Sequence, residues 1–432
     1  MVTLVALVLV PALAGCGSGG RASRGGPPAD AGRPASPAPT PTGKSGAPAA
    51  GVAADGAVGR PAYSGPVAAP AGEAFYRPPA PLPAGRPGDV LWWRPVPAAG
   101  PFAAAGARVL QVLYLSSGAL GAPRAVSGTV LVPARPAGDA PILGYAPGTQ
   151  GLGDDCAASK GLAVGVNLAV GALTEALNRG WIVAVPDYEG LGTPGEHTYV
   201  VGPAEGHALL DIVRATPRVA GLTGAAHRRV GLAGYSQGGG AAVWAAQLVP
   251  GYAPELDLRG VAAGGVPADL GAVGRALDGK GAAGLSLAAA AGLDAAYPDL
   301  RLDSLLTTPG RAVFAVLRTA CSLALVAGYA GVRFADLTTT DPMTLPRWRA
   351  RLAENTLGPV APRVPLYLYH ATSDSLVAFP QAARLRAQYC ARRVAVTWAP
   401  FPGDHVNGVG RTADALRFLA DRFAGIPTRG NC

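Results

Sequence analysis

The sequence predicts an α/β fold, a mostly parallel sheet with helices on both faces and a helical cap inserted late in the chain. Three observations predict it. Short apolar runs alternate with helical periodicity from about residue 73 onward, the pattern of parallel strands joined by crossover helices. One run, Val230 to Ala233, meets Gly234-Tyr235-Ser236-Gln237-Gly238 and then becomes helical, so a serine flanked by glycines stands at a sharp strand-to-helix turn, a nucleophile elbow. From about Pro267 to Thr356 the alternation gives way to Ala- and Leu-rich helical stretches, after which strand character resumes at Val364.

Residues 1–16 form an apolar run ending in Leu13-Ala14-Gly15-Cys16, which looks like the signal of a bacterial lipoprotein, although no Lys or Arg precedes it. Cleavage there leaves Cys16 as the N-terminus, carrying a diacylglyceryl group that anchors the chain to the outer face of the cell membrane without spanning it. The alternative is an ordinary secretory signal; either reading places the protein outside the cytoplasm. Residues 17–72 are rich in Ala, Pro, Gly and Ser and almost free of large apolar side chains, so they read as a disordered tether. The folded domain is expected over 73–432, with its cap at about 267–356. Lys and Arg number 36 against 27 Asp and Glu, but the excess is spread without a cluster or interleaved aromatics. That excludes nucleic-acid binding and leaves at most a mild attraction to anionic membrane surfaces.

Within the body, strands are expected at Ala107 to Leu115, Ala125 to Val132 and Pro141 onward, the last ending in the small-residue loop Gly148-Thr149-Gln150-Gly151. A helix over Leu162 to Arg179 leads to the strand Trp181 to Val185 and the turn Pro186 to Gly192. Ala204 to Thr216 is the next helix, stopped by Pro217. After the elbow, a helix from Gly239 ends near Pro250 and a strand covers Leu258 to Gly264. Helices in the cap are expected at Ala282 to Leu293 and Ala312 to Ala330. The second is apolar enough to raise a membrane-spanning reading, but Arg318 near its middle argues against one. A strand at Val364 to His370, a helix at Pro380 to Arg392, a strand at Val394 to Ala399 and a helix at Thr412 to Phe423 complete the chain.

A serine hydroxyl is a weak nucleophile, so Ser236 needs an imidazole to take its proton and a carboxylate to orient that ring. In elbow-bearing folds the order along the chain is Ser, then acid, then His. Of five histidines, His197 lies in a loop, His207 in a helix, His227 in a turn and His370 at a strand end. His405 alone follows the last strand and precedes the final helix, where a loop presents it at the sheet edge. Asp374, in the loop at the end of the preceding strand, is the expected acid; Asp269 and Asp404 are the alternatives, and Asp187 and Glu189 read as structural. The oxyanion donors are the Gln237 N–H and either Thr149 or Gln150. Without a base and acid, Ser236 would only cap its helix.

Gly234-Tyr235-Ser236-Gln237-Gly238-Gly239, Pro186 to Gly192, Phe75-Tyr76 with Pro87-Gly88-Asp89, the 148–151 loop, and Asp374 with His405 together resemble the secretory lipase family, over about residues 73–432. The resemblance implies an α/β-hydrolase core and hydrolysis of acylglycerols or other carboxylic esters without metal or cofactor. The fungal members have an acidic residue near the oxyanion loop that this chain lacks. After Cys16 four cysteines remain, an even number that suggests two disulfides in an exported chain and leaves three pairings open. The family pattern implies Cys156 with Cys321 and Cys390 with Cys432. The function expected is that of an exported serine ester hydrolase acting on lipid or ester substrates. Acyl transfer or peptide hydrolysis on the same fold, and a non-catalytic lipid-binding lipoprotein, are the alternatives.

Overall fold

The structure is a computed structural model of the 432-residue chain that describes residues 59–136, 139–222 and 228–432. The signal-like segment with Cys16, most of the proline-rich stretch, and His227 lie outside the described residues.

Three antiparallel strands open the sheet, β1 (Val90–Val96), β2 (Arg108–Ser117) and β3 (Pro123–Val132), with a short helix α1 (Gly100–Ala104) between the first two. Six more follow: β4 (Ile142–Ala146), β5 (Ile182–Pro186), β6 (Arg229–Tyr235), β7 (Asp257–Gly264), β8 (Leu366–Ala371) and β9 (Val396–Phe401). All nine join one sheet in the order β1-β2-β3-β5-β4-β6-β7-β8-β9. β5 runs antiparallel to β3, and every pair from β5-β4 to β8-β9 is parallel. β4 and β5 are buried at every residue, which is why they read as unbroken apolar runs: central parallel strands are covered on both faces.

The helices divide between the faces. After β4 come α2 (Ala158–Ala163) and α3 (Val170–Asn178), after β5 comes α4 (Gly202–Ala220), and after β6 comes α5 (Gln237–Tyr252). Between β7 and β8 lies a helical insertion: α6 (Leu270–Leu277), α7 (Ala283–Ala296), α8 (Thr308–Leu317), α9 (Ser322–Ala327), α10 (Phe334–Leu337) and α11 (Pro346–Glu354). α12 (Phe379–Ala391) follows β8 and α13 (Thr412–Phe423) follows β9. Side chains of α4, α5 and α12 build the core on one face of the sheet, and those of α1 to α3 with α13 build it on the other. The insertion has its own core, which also takes in Leu152, Tyr199, Val201 and Ala204 from the body.

Strand order reverses direction at β4, since the chain steps from β4 to β5 on one side and then to β6 on the other. The crevice beyond the carboxyl ends of β4 and β6 is where open α/β sheets hold their ligands. It receives both the 148–151 loop and Ser236.

Four expectations change. Leu162 to Arg179 is not one helix: α2 ends at Ala163 and α3 starts afresh, its entry shaped by Asn167, whose side chain accepts the Ala169 N–H at 2.9 Å. Ala312 to Ala330 is likewise divided into α8 and α9. The break exists because residues 320–322 pair with the body instead: Leu152 N–H donates to Ala320 O at 2.9 Å and Ser322 N–H to Gln150 O at 2.8 Å. Tertiary hydrogen bonds override helical periodicity there, and no helix among the described residues is long and apolar enough to cross a membrane. Pro217 does not stop α4, which continues to Ala220. The ordered body also begins before residue 73, because Val67 N–H donates to Leu91 O at 3.0 Å and the Tyr63 hydroxyl to Val90 O at 2.9 Å, tying part of the expected tether to β1.

Candidate active site

Ser236 has φ 59° and ψ −124°, a left-handed conformation that non-glycine residues avoid, between the last residue of β6 and the first of α5. Its N–H donates to Gly264 O at 2.9 Å, holding the elbow against β7. The flanking glycines are sterically required. A methyl group on Gly234 would come within 2.1 Å of Gly238 O, and one on Gly238 within 2.0 Å of Ala146 O.

His405 opens the segment after β9 and is buried beside this elbow. Its ring centre lies 5.0 Å from that of Tyr235, whose hydroxyl donates to His405 O at 2.5 Å, and a methyl group on Gly265 would sit 3.0 Å from its Cε1. His405 Nδ1 is 2.7 Å from Asp374 Oδ2. An ionised carboxylate only accepts hydrogen bonds, so Nδ1 carries the proton and Nε2 is free to act as a base.

Asp374 is pinned on both oxygens. Oδ1 accepts the N–H groups of Leu376 and Val377 at 3.0 and 2.7 Å, and Oδ2 also lies 3.2 Å from His370 Nε2. Burial by itself would raise this carboxyl, but the contacts with His370 and His405 and the hydrogen bond from the Val377 N–H overcome it and hold Asp374 well below the usual carboxylate range. It is an ionised, immobile acceptor.

The other sequence candidates stand elsewhere. Asp269 caps α6, accepting the Ala272 N–H at 2.8 Å. Asp404 meets His405 only through the backbone, accepting its N–H at 2.7 Å while also holding Ser375. Asp187 is fully buried and joins Ser127 and Ser159, and Glu189 pairs with Arg124. His207 packs on Tyr252 and faces Ser117 O at 3.2 Å. His370 is a hydrogen-bonding residue: its Nε2 donates to Val377 O at 2.7 Å and also approaches Asp374, bracing the loop that carries the acid.

The 148–151 loop follows β4 beside the elbow. Thr149 Oγ1 and Tyr199 Oη are 2.8 Å apart, Gln150 Nε2 donates to Gly148 O at 2.7 Å, and Asn167 Nδ2 donates to Gln150 Oε1 at 2.9 Å. Gly151 forms a bridge with Cys321, and a disulfide joins Cys156 to Cys321 across 165 residues. A second disulfide, Cys390 to Cys432, fixes the C-terminal tail against α12. The first closes the longer loop, so replacing Cys156 and Cys321 together by Ser is expected to lower stability by about 2–4 kcal/mol, read by denaturant unfolding.

Sequence reasoning missed a buried polar cluster around the side chain of Gln237, the residue after Ser236, made with Glu205 and His197. Gln237 Nε2 donates to Glu205 Oε1 at 2.6 Å and lies 3.4 Å from His197 Nε2. An acid in the first turn of a helix reads from sequence as a response to the helix dipole, which hid Glu205. Among the described residues no group of His, Cys, Asp and Glu is arranged to hold a metal ion.

A parallel sheet covered on both faces, a serine elbow after its central strand, and an acid and a histidine after the strands at its edge define the α/β-hydrolase fold. Candida antarctica lipase A superposes with a TM-score of 0.76 at 25% identity, covering 82% of this chain and 86% of that one. The secreted triacylglycerol lipase LIP7 of Malassezia globosa is 30% identical over 377 residues, 82% of this chain and 79% of its own. A Mycobacterium tuberculosis protein named as a probable inactive lipase, MT1628, is 32% identical over 388 residues and covers 83% of each chain. The secretory lipase profile matches residues 157–431. The chain belongs to the secretory lipase family and is a lipase-like carboxylic ester hydrolase.

Proposed function

We propose that the chain is an exported serine lipase in which Ser236 is the nucleophile, His405 the general base and acid, and Asp374 the carboxylate that orients it. The observation that carries this reading is the 2.7 Å contact of His405 Nδ1 with a doubly pinned Asp374, beside a serine in elbow geometry. Ser236 Oγ attacks the ester carbonyl carbon as His405 Nε2 takes its proton, and the carbonyl oxygen becomes an anion facing the Gln237 N–H and a donor of the 148–151 loop, Thr149 or Gln150. Collapse expels the alcohol with the proton from His405, and water then releases the acyl group by the same steps. No metal or cofactor enters this chemistry.

Two features support a lipid substrate. Ser236 and Gln237 line a small cavity of about 50 Å³ whose other walls include Leu270, Val273, Leu285 and Ala289 of the insertion, so the helical cap sets an apolar wall beside the nucleophile. Four exposed aliphatic side chains stand on segments tied to the site: Val166 and Leu168 flank Asn167, Leu323 follows Ser322, and Val406 follows His405. Relatives named as secreted lipases support an extracellular location, and the Cys16 signal supports attachment to the membrane surface.

Release from triolein, p-nitrophenyl esters of graded length and aminoacyl amides tests the reading. Ester turnover with inert amides is expected. A folded wild type that cleaves none of the esters overturns it and favours a non-catalytic lipid binder; the Mycobacterium relative is itself named a probable inactive lipase. Ala289 also borders a second apolar cavity within the insertion, lined by Leu293, Trp348 and Leu352. Ala289→Phe is therefore expected to lower kcat/KM for a palmitate ester about tenfold or more while changing that for a butyrate ester by about threefold at most.

A further inference from the structure

Gln237 supplies a backbone N–H to the proposed oxyanion site, and its side chain is 2% exposed, its amide nitrogen held by Glu205 and facing His197. Glu205, also 2% exposed, accepts one amide hydrogen of Gln237 at 2.6 Å and the Val200 N–H at 2.8 Å, both on Oε1. His197 Nδ1 faces Glu189 O at 2.8 Å, so its proton is on Nδ1, and Nε2 is the acceptor 3.4 Å from the same amide nitrogen. Gln237 is the first residue of α5, where backbone donors have no partner within the helix and the first turn frays unless something holds it.

We propose that Glu205 is a positioning residue for the oxyanion donor: through the Gln237 side chain it fixes the direction of the Gln237 N–H, and its ionisation switches the site down. The proposal rests on the serine mechanism above. The groups facing Glu205 are Gln237 from α5, His197, Tyr199 and the Val200 N–H from the loop before α4, and Tyr188 from the turn after β5. Burial pushes the Glu205 carboxyl up to about 8 against the opposing hydrogen bonds from Gln237 and Val200. Burial pushes His197 down to about 4 and raises Tyr188 and Tyr199 far above neutrality. Glu205 is therefore the group in this pocket that changes charge between pH 6 and 9, and its ionised form sets a buried negative charge beside the residue meant to receive another.

Steady-state hydrolysis of p-nitrophenyl butyrate from pH 6 to 9.5, with thermal melts, tests this in wild type, E205Q, E205A, Q237A and the E205A/Q237A double variant. E205A and Q237A are each expected to lower kcat about tenfold to a hundredfold with KM within about threefold, less than complete loss of an oxyanion donor. The double variant should fall no further, because both remove one contact. E205Q keeps the acceptor, so it should restore kcat to within about threefold of wild type at pH 7 and lack the wild-type decline near pH 8. A folded E205A with wild-type kcat, additive losses, or the same alkaline decline in E205Q overturns the proposal. If E205A does not fold, Q237A and the E205Q pH profile decide it. Wild type without ester turnover overturns the serine mechanism and this inference together, whereas active wild type with unaffected variants overturns this inference alone.

Discussion

Ser236→Ala is expected to lower kcat on a butyrate ester by about 10⁶-fold while the protein stays folded, with Tm within about 2 °C of wild type. Alanine keeps the Cβ, the Gly264 hydrogen bond and the backbone turn, and removes only Oγ, so the loss measures the nucleophile and not the elbow. Ser236→Gly makes the complementary point. At φ 59° and ψ −124° a side chain at this position is strained by about 1–3 kcal/mol, and glycine relieves that strain. This variant should be equally inactive yet melt above Ser236→Ala, a comparison that separates strain stored for function from any role of the hydroxyl in folding.

Asp374→Asn is expected to cost about 10⁴-fold in kcat. The carboxylate accepts on both oxygens, from Leu376 and Val377 on one and from His405 on the other, which His370 Nε2 also approaches. An amide cannot accept on both sides. If its oxygen faces the backbone donors, its NH₂ faces His405 Nδ1 and forces the tautomer that protonates Nε2, the atom meant to act as base. The folded-state pKa of Asp374 lies below its unfolded value, so its contribution to stability is present above about pH 4 and lost as pH falls further. Thermal melts from pH 7 to 3 should show wild type losing stability toward acid more steeply than Asp374→Asn, which has no such carboxylate to protonate.

The α/β-hydrolase sheet was legible because its strands announce themselves by composition: β4 and β5 are buried at every position and flanked by small or turn-forming residues. Ser236 was legible because an elbow demands glycines two residues away on each side. Asp374 and His405 were picked out by where they fall relative to the last two strands, and they lie 2.7 Å apart. What stayed hidden depends on contacts that only the folded chain makes. Nothing local in Ala312 to Ala330 reveals that residues 320–322 pair with Leu152 and Gln150, and nothing near Val67 reveals Leu91. His370 looked like one more strand-end histidine until the turn folded Asp374 back onto it. Nothing in the sequence around Glu205 reveals that Gln237 of α5 lies against it. Periodicity records which side of an element is buried, and such polar contacts leave no periodic trace.

The measurement that tests the central claim most directly is covalent labelling of the folded wild type by a fluorophosphonate, followed by peptide mass mapping. One adduct on the peptide that contains Ser236, abolished by heat denaturation and absent from Ser236→Ala, is the predicted result. A folded wild type that takes up no label, or an adduct on a different serine that persists in Ser236→Ala, would contradict it.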